Sequence, residues 1–196
     1  MVQFGRFLET AKSEYTGDDP YSSRKQKSKR DSTLESVIAG EYFRLKDEDF
    51  IRTDWGSVSL QNSSSGQQES LPLLLALSEY PRRMTPNDLI IIEEPEAHLF
   101  PVAQKRILEL IVQTVLKKSV KVLITTHSPY ILACLNNEIY RNLKSDLSGR
   151  FSVSCYQIAD GQATSIFDAE DNLIDLSALD SVSETIAREF AEASDE

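Results

Sequence analysis

Leu89-Ile90-Ile91-Ile92-Glu93-Glu94-Pro95-Glu96-Ala97-His98-Leu99 is the stretch on which the fold turns. Its aliphatic run reads as a strand buried on both faces that ends abruptly in two glutamates. Residues 102–117 follow as a helix, with Ile107, Leu108, Leu110, Ile111 and Val115 on one broad apolar face. Lys117 and Lys118 sit near its C-terminal end, where the helix dipole favours cations. Residues 120–124 form a second apolar run and a second buried strand. Strand, helix, strand at this length is a βαβ unit: it forces a parallel pair with a right-handed crossover and brings both C-terminal strand ends to one sheet edge. Open α/β sheets bind their ligands at that edge.

Both strands deliver reactive groups there. Glu93 and Glu94 place adjacent carboxylates at the edge, and burying them uncompensated is costly. Mg²⁺ removes the conflict, because it takes carboxylate and water oxygens together with substrate phosphates. Consecutive strand residues point in opposite directions, so one acid can orient the metal while the other reaches a water. An exposed strand end with no task is the plainer reading. The second strand ends in Thr125-Thr126-His127-Ser128-Pro129, an imidazole and several hydroxyls suited to a phosphate, although a histidine at a strand end is often only a hydrogen-bonded structural residue. Upstream, Asn62-Ser63-Ser64-Ser65-Gly66-Gln67-Gln68-Glu69 opens an apolar helix over residues 71–77. Free N–H groups at a helix start make an anion site, while an ordinary serine cap or a Ser/Gly linker also fits the residues. Pro72 predicts a kink or a late start for that helix.

In this order the segments resemble the ABC ATPase superfamily, in particular the bacterial ATPases of the OLD-like (overcoming lysogenization defect) and chromosome-maintenance-like groups. Ser64-Ser65-Gly66-Gln67 is similar to the signature motif, residues 90–94 to Walker B, Glu96-Ala97-His98-Leu99 to the D-loop and His127 to the switch histidine. The resemblance implies an α/β fold: a partial P-loop NTPase core of ABC type, a parallel sheet with flanking helices, then a C-terminal β-hairpin and helix. It implies ATP and Mg²⁺ as cofactors. Glu93 would hold the metal, Glu94 would polarise the attacking water and His127 would sense the γ-phosphate. Ser63, Ser64, Ser65, Gly66, Gln67 and His98 would belong to the nucleotide site, with the signature residues reaching a nucleotide held by the opposite protomer. Glu93 stands where many ABC proteins have the shorter Asp, and the Glu-Glu-Pro-Glu-Ala-His order is the OLD-like form.

A Walker A loop needs Gly-Lys-Ser/Thr, whose backbone N–H groups and lysine cradle the phosphates. None of the seven glycines precedes a lysine. The P-loop strands are therefore expected ahead of Met1 or on another chain, making this chain half of a split ATPase, a fragment or a remnant, and no toprim nuclease domain is expected after Phe190. The leading expectation is an ATPase component that works only when a Walker A-bearing chain or second protomer completes an oligomer. A non-catalytic interaction or regulatory module is the rival. A metal-dependent nuclease using Glu93, Glu94 and Glu96 is disfavoured, because it needs a further carboxylate. Phage defence and DNA repair or maintenance are the settings the resemblance suggests.

Composition narrows the classes. A formal charge of -10 repels nucleic acid, so DNA contact requires a local basic patch or another subunit. Cys134 and Cys155 have no paired spacing and read as buried small hydrophobes in a reducing cytoplasm. No apolar run reaches the roughly 18 residues of a membrane span, so a cytoplasmic protein is expected. Residues 1–34 read as a polar and basic arm, or the remnant of a helical insertion, with a basic run at 24–30; residues 35–196 read as the ATPase part. A turn at Trp55-Gly56 precedes the alternating Val58 and Leu60. Residues 151–158 and 163–167 form a hairpin around Asp160-Gly161, and a short helix over 182–190 leads to an acidic end. Removing half of a shared sheet leaves open edges, so poor solubility or tight association is expected.

Overall fold

The computed structural model describes residues 2–13, 32–79, 84–86, 88–144 and 152–194; the basic run at 24–30 lies outside them. The contacts divide the chain into two units, Met1–Thr126 and His127–Glu196.

The first unit begins with helices α1 (Val2–Ser13) and α2 (Ser32–Ile38) and an antiparallel sheet of β1 (Glu41–Leu45), β2 (Glu48–Thr53) and β3 (Gly56–Ser59). The β1–β2 turn places Lys46 and Asp47 at φ 48° and 68°, a left-handed pair without glycine. Asp49 on β2 ties the sheet to α1: it accepts 2.6 Å hydrogen bonds from the Tyr42 hydroxyl and from Lys12 Nζ. A short 3-10 turn, Leu60–Asn62, leads into α3 (Ser65–Glu79).

Helix α3 starts ahead of Pro72 and runs through it, so the late start predicted from that proline does not occur. Losing one backbone bond costs about 3 kcal/mol. Full burial of Leu71, Leu74, Leu75 and Leu77 on the same helix contributes about 1.5–3 kcal/mol each and outweighs it.

Then come β4 (Leu89–Glu93), α4 (Pro101–Lys118) and β5 (Lys121–Thr125), the predicted βαβ unit, with β4 and β5 parallel and Ile92 opposite Ile124. Pro101 presets the first turn of α4, and Ser119 ends it at φ 54°, its N–H donating to the Val115 carbonyl at 2.7 Å. Ile92, Ile107 and Ile111 join Leu34, Ile38 and Leu74 in one core. The strands are not buried on both faces as the sequence predicts. Leu89 and Ile91 are 57% and 59% exposed and Leu123 is 52% exposed, because no described element covers the face to which they alternate.

The second unit holds a helix that the sequence reading passed over, α5 (Pro129–Leu143). Ser128 caps it, accepting from the N–H groups of Tyr130 and Ile131. The hairpin of β6 (Tyr156–Ala159) and β7 (Gln162–Ser165) forms around Asp160 and Gly161 as predicted, both at positive φ. Next are β8 (Phe167–Asp168) and β9 (Leu173–Ile174). Asn136 on α5 clasps β9 in both directions, donating to the Ile174 carbonyl at 3.0 Å and accepting from its N–H at 2.7 Å. Helix α6 spans Ser177–Ser194, longer at both ends than predicted, and Asp175 receives the Ser177 N–H at its start. That bond holds the Asp175 carboxyl below its ordinary pKa. Cys134 and Cys155 are half-buried rather than buried; Cys155 packs beside the Leu132, Ile139 and Ile174 cluster, and burial raises its thiol pKa.

No helix among the described residues is long and apolar enough to cross a membrane.

Candidate functional site

Glu93 ends β4 directly opposite Thr125 on β5, and its side chain is exposed, as is that of Glu94. The ladder continues one step further, since the Glu94 N–H donates to the Thr125 carbonyl at 2.9 Å. There the backbone swings away. Glu94 adopts φ 43°, and the chain turns tightly through residues 95–98, with Ala97 N–H bonded to the Glu94 carbonyl and Leu99 N–H to the Glu96 carbonyl, each at 2.9 Å. His98 closes the turn at φ 57°. Left-handed backbone at two non-glycine residues only four positions apart is uncommon and concentrates around functional segments. Glu96 is directed inward at 9% exposure, and its Oε1 accepts from the Thr126 hydroxyl at 2.5 Å.

The start of α3 lies in the same unit. Ser64 and Gln67 form a reciprocal capping box: the Ser64 hydroxyl accepts from Gln67 N–H at 3.3 Å, and Gln67 Oε1 accepts from Ser64 N–H at 3.1 Å. Gln67 also donates through Nε2 to the Ile38 carbonyl at 2.7 Å, and the Ser63 hydroxyl donates to the Leu60 carbonyl at 2.7 Å. Ser65 is exposed at the first helical position. Among the polar residues of this motif, Ser63, Ser64 and Gln67 thus have structural bonds, while the Ser65 side chain faces solvent.

Gly66 brings the two segments together. A Cβ at this position would lie 2.5 Å from the His98 carbonyl oxygen, so the turn after β4 rests on the bare Cα at the head of α3. One helical turn on, Glu69 Oε1 lies 3.4 Å from His98 Nε2. A cavity of about 590 Å³ opens beside this contact, lined by Leu73, Ala76 and Leu77 of α3, by β4 and by Glu93 and Glu94. His127 is exposed and opens the second unit immediately after Thr126. The structure therefore gathers Ser63, Ser64, Ser65, Gly66, Gln67, Glu93, Glu94 and His98 into one unit, and places His127 at the start of the next. The sequence offers the Thr126 hydroxyl only as one of several suited to a phosphate; its bond to Glu96 is not legible there, since only the fold brings the two together.

A family profile described as an AAA ATPase domain matches residues 8–132, more than half of the chain. The chain belongs to the AAA ATPase domain family. Among solved structures, this AAA ATPase-family chain is similar to one described as "Structural biochemistry of ATP-driven dimerization and DNA stimulated activation of SMC ATPases", with TM-score 0.52 and 13% identity over 95% of this chain and 96% of that one. At that identity the likeness concerns the fold alone. No curated protein matches the chain.

Membership in the AAA ATPase domain family implies nucleotide binding, usually with Mg²⁺. The residues fit both. Two exposed carboxylates at one strand end suit an ion that takes one or two protein oxygens and completes its shell with phosphates and water. The described residues contain no cluster of three or more His, Cys, Asp or Glu that could hold a metal without such added oxygens. Helix α3, 15 residues long, begins at Ser65, and a helix N-terminus suits an anion.

Proposed function

We propose that this chain supplies the signature, Walker B, D-loop and switch-histidine side of an ABC-type ATP site, a partial P-loop core that a Walker A-bearing chain or second protomer completes. The observation that carries the reading is the contact of Gly66 with the His98 carbonyl. It packs the segment resembling the signature motif against the one resembling the D-loop, in the unit that also holds Glu93 and Glu94.

In this reading Glu93 holds Mg²⁺ through its exposed carboxylate. Glu94, turned out of the strand by its left-handed backbone, orients a water and accepts its proton. The Ser65 hydroxyl and the helix N–H groups beside it meet phosphate oxygens, while Ser63, Ser64 and Gln67 keep that helix start in shape. Gly66 and His98 set the spacing between the two segments, and His127 contacts the γ-phosphate. Bound Mg²⁺ neutralises charge that develops on the phosphates during transfer. The exposed face of Leu89, Ile91 and Leu123 supports a completing chain on that side of the sheet. Nucleotide-driven dimerisation is the proposed output. The Glu-Glu-Pro-Glu-Ala-His order is the ground for an OLD-like assignment, and for a role in phage defence or DNA maintenance through the completed assembly, since this chain is acidic.

The test is to purify the tagged chain gently from its native host. A stoichiometric partner carrying Gly-x-x-x-x-Gly-Lys-Ser/Thr is expected. In that assembly Glu94→Gln should lower ATP turnover by about 10²–10⁴-fold, the usual contribution of a positioned base, and leave nucleotide binding intact. Turnover unchanged by the substitution removes Glu94 from the mechanism, and a chain that emerges alone and binds no nucleotide leaves the interaction-module reading.

A further inference from the structure

Glu96 is a buried acid held by a hydroxyl from the far side of the parallel strand pair. Its Oε1 receives the Thr126 Oγ1–H at 2.5 Å, from a residue thirty positions later in the chain. A hydroxyl–carboxylate bond of that length is in the charge-assisted range. Thr126 follows the last residue of β5, and Thr125, just before it, accepts the Glu94 N–H at 2.9 Å. The turn after β4 is thus fastened to the end of β5 twice, by backbone at Glu94 and by side chain at Glu96.

We propose that the Thr126–Glu96 pair is a lock that fixes the direction in which Glu94 leaves the strand, making Thr126 and Glu96 positioning residues. Glu94 needs such a lock because its φ of 43° is a left-handed conformation that non-glycine residues adopt only at a steric cost. Strained backbone persists only where its surroundings hold it. Glu94 carries the first fastening on its own N–H and lies two residues before the second, so releasing the second lets residues 94–98 relax toward ordinary backbone angles and swings the Glu94 carboxylate away. The same bond restrains the residue directly before His127. The catalytic consequence rests on the ATP-site reading above; the lock itself does not.

Amide hydrogen exchange on this chain tests the lock directly. Thr126→Val keeps the side-chain shape and removes the donor. Exchange at the Glu94 and Ala97 amides should accelerate about tenfold or more, as expected for loss of one hydrogen bond to a charged group, with α4 amides unchanged as a control for folding. Thr126→Ser restores the hydroxyl and should return exchange to the wild-type rate. In the completed assembly Thr126→Val should lower kcat about tenfold at unaltered KM for ATP, with Thr126→Ser near wild type. Wild-type exchange in Thr126→Val overturns the proposal, and so does an equal defect in Thr126→Ser, which would assign the effect to methyl packing. If Glu94→Gln abolishes turnover while Thr126→Val leaves kcat untouched, the positioning role is overturned. If Glu94→Gln is itself without effect while the exchange results hold, the lock stands and the ATP-site reading falls.

Discussion

The carbonyl oxygen of His98 occupies the space where Gly66 would carry a side chain, 2.5 Å from the position of a Cβ. The obstacle is backbone, held in a tight turn by the bonds of Ala97 and Leu99, so it cannot step aside as the tip of a side chain would. Gly66→Ala should therefore destabilise the fold by about 1–3 kcal/mol, the usual range for overpacking. Urea denaturation checks this, and a variant as stable as wild type would show that the two segments do not need so close an approach.

Neighbouring serines should separate by role. Ser64→Ala loses the capping box with Gln67 and should cost about 1 kcal/mol in thermal or chemical denaturation. Ser65→Ala has an exposed hydroxyl to lose and should stay within about 0.5 kcal/mol of wild type. In the completed assembly Ser65→Ala should nonetheless weaken nucleotide-dependent association, measured by sedimentation with and without ATP.

Tyr42 makes stability fall in alkali. Burial first, then its bond to Asp49, raises the phenol pKa far above the ordinary value. The folded chain keeps that proton while an unfolded tyrosine gives it up above about pH 10, so the contribution of Tyr42 is complete below that pH and is lost as pH rises past it. Tyr42→Phe should be less stable at neutral pH by about 1 kcal/mol, for the hydroxyl bond to Asp49. The gap should narrow between pH 10 and 11; a constant gap across that window would contradict this account.

The open face of the parallel strand pair should drive association. Ile91 lies directly opposite Leu123, and both are more than half exposed. Ile91→Lys should lower self-association of the chain in sedimentation velocity and weaken assembly with a completing partner. Its fold should lose no more than about 0.5 kcal/mol, as surface substitutions usually do. Undiminished association would put the contact elsewhere.

Much of the local plan could be read from single stretches of sequence. The apolar runs around Ile91 and Leu123, separated by a helix of the right length, were enough for the parallel pair, because a βαβ connection leaves few topologies open. Asp160-Gly161 specified its hairpin because both residues tolerate positive φ. Ser128-Pro129 is a readable helix start as well, a capping serine followed by a proline at the first helical position of α5. Burial was less legible: an aliphatic run shows what a strand can bury, while neighbouring elements decide which face finds cover, and Leu89 and Ile91 found none.

The sequence by itself determined which chemical groups stand at the strand ends and helix start, since Glu93, Glu94, His127 and the Ser63–Gln67 segment are fixed by their order along local elements. Only the tertiary structure decided how those groups are held. That Gly66 touches His98, that Thr126 bonds to Glu96 and that Ser64 caps its helix while Ser65 faces solvent are outcomes of packing between distant segments or of side-chain choice within a turn. Residue periodicity encodes a face and a direction, whereas a contact between distant residues depends on where whole helices and strands come to rest, and that placement is set by the shared core of Ile92, Leu74 and Ile107.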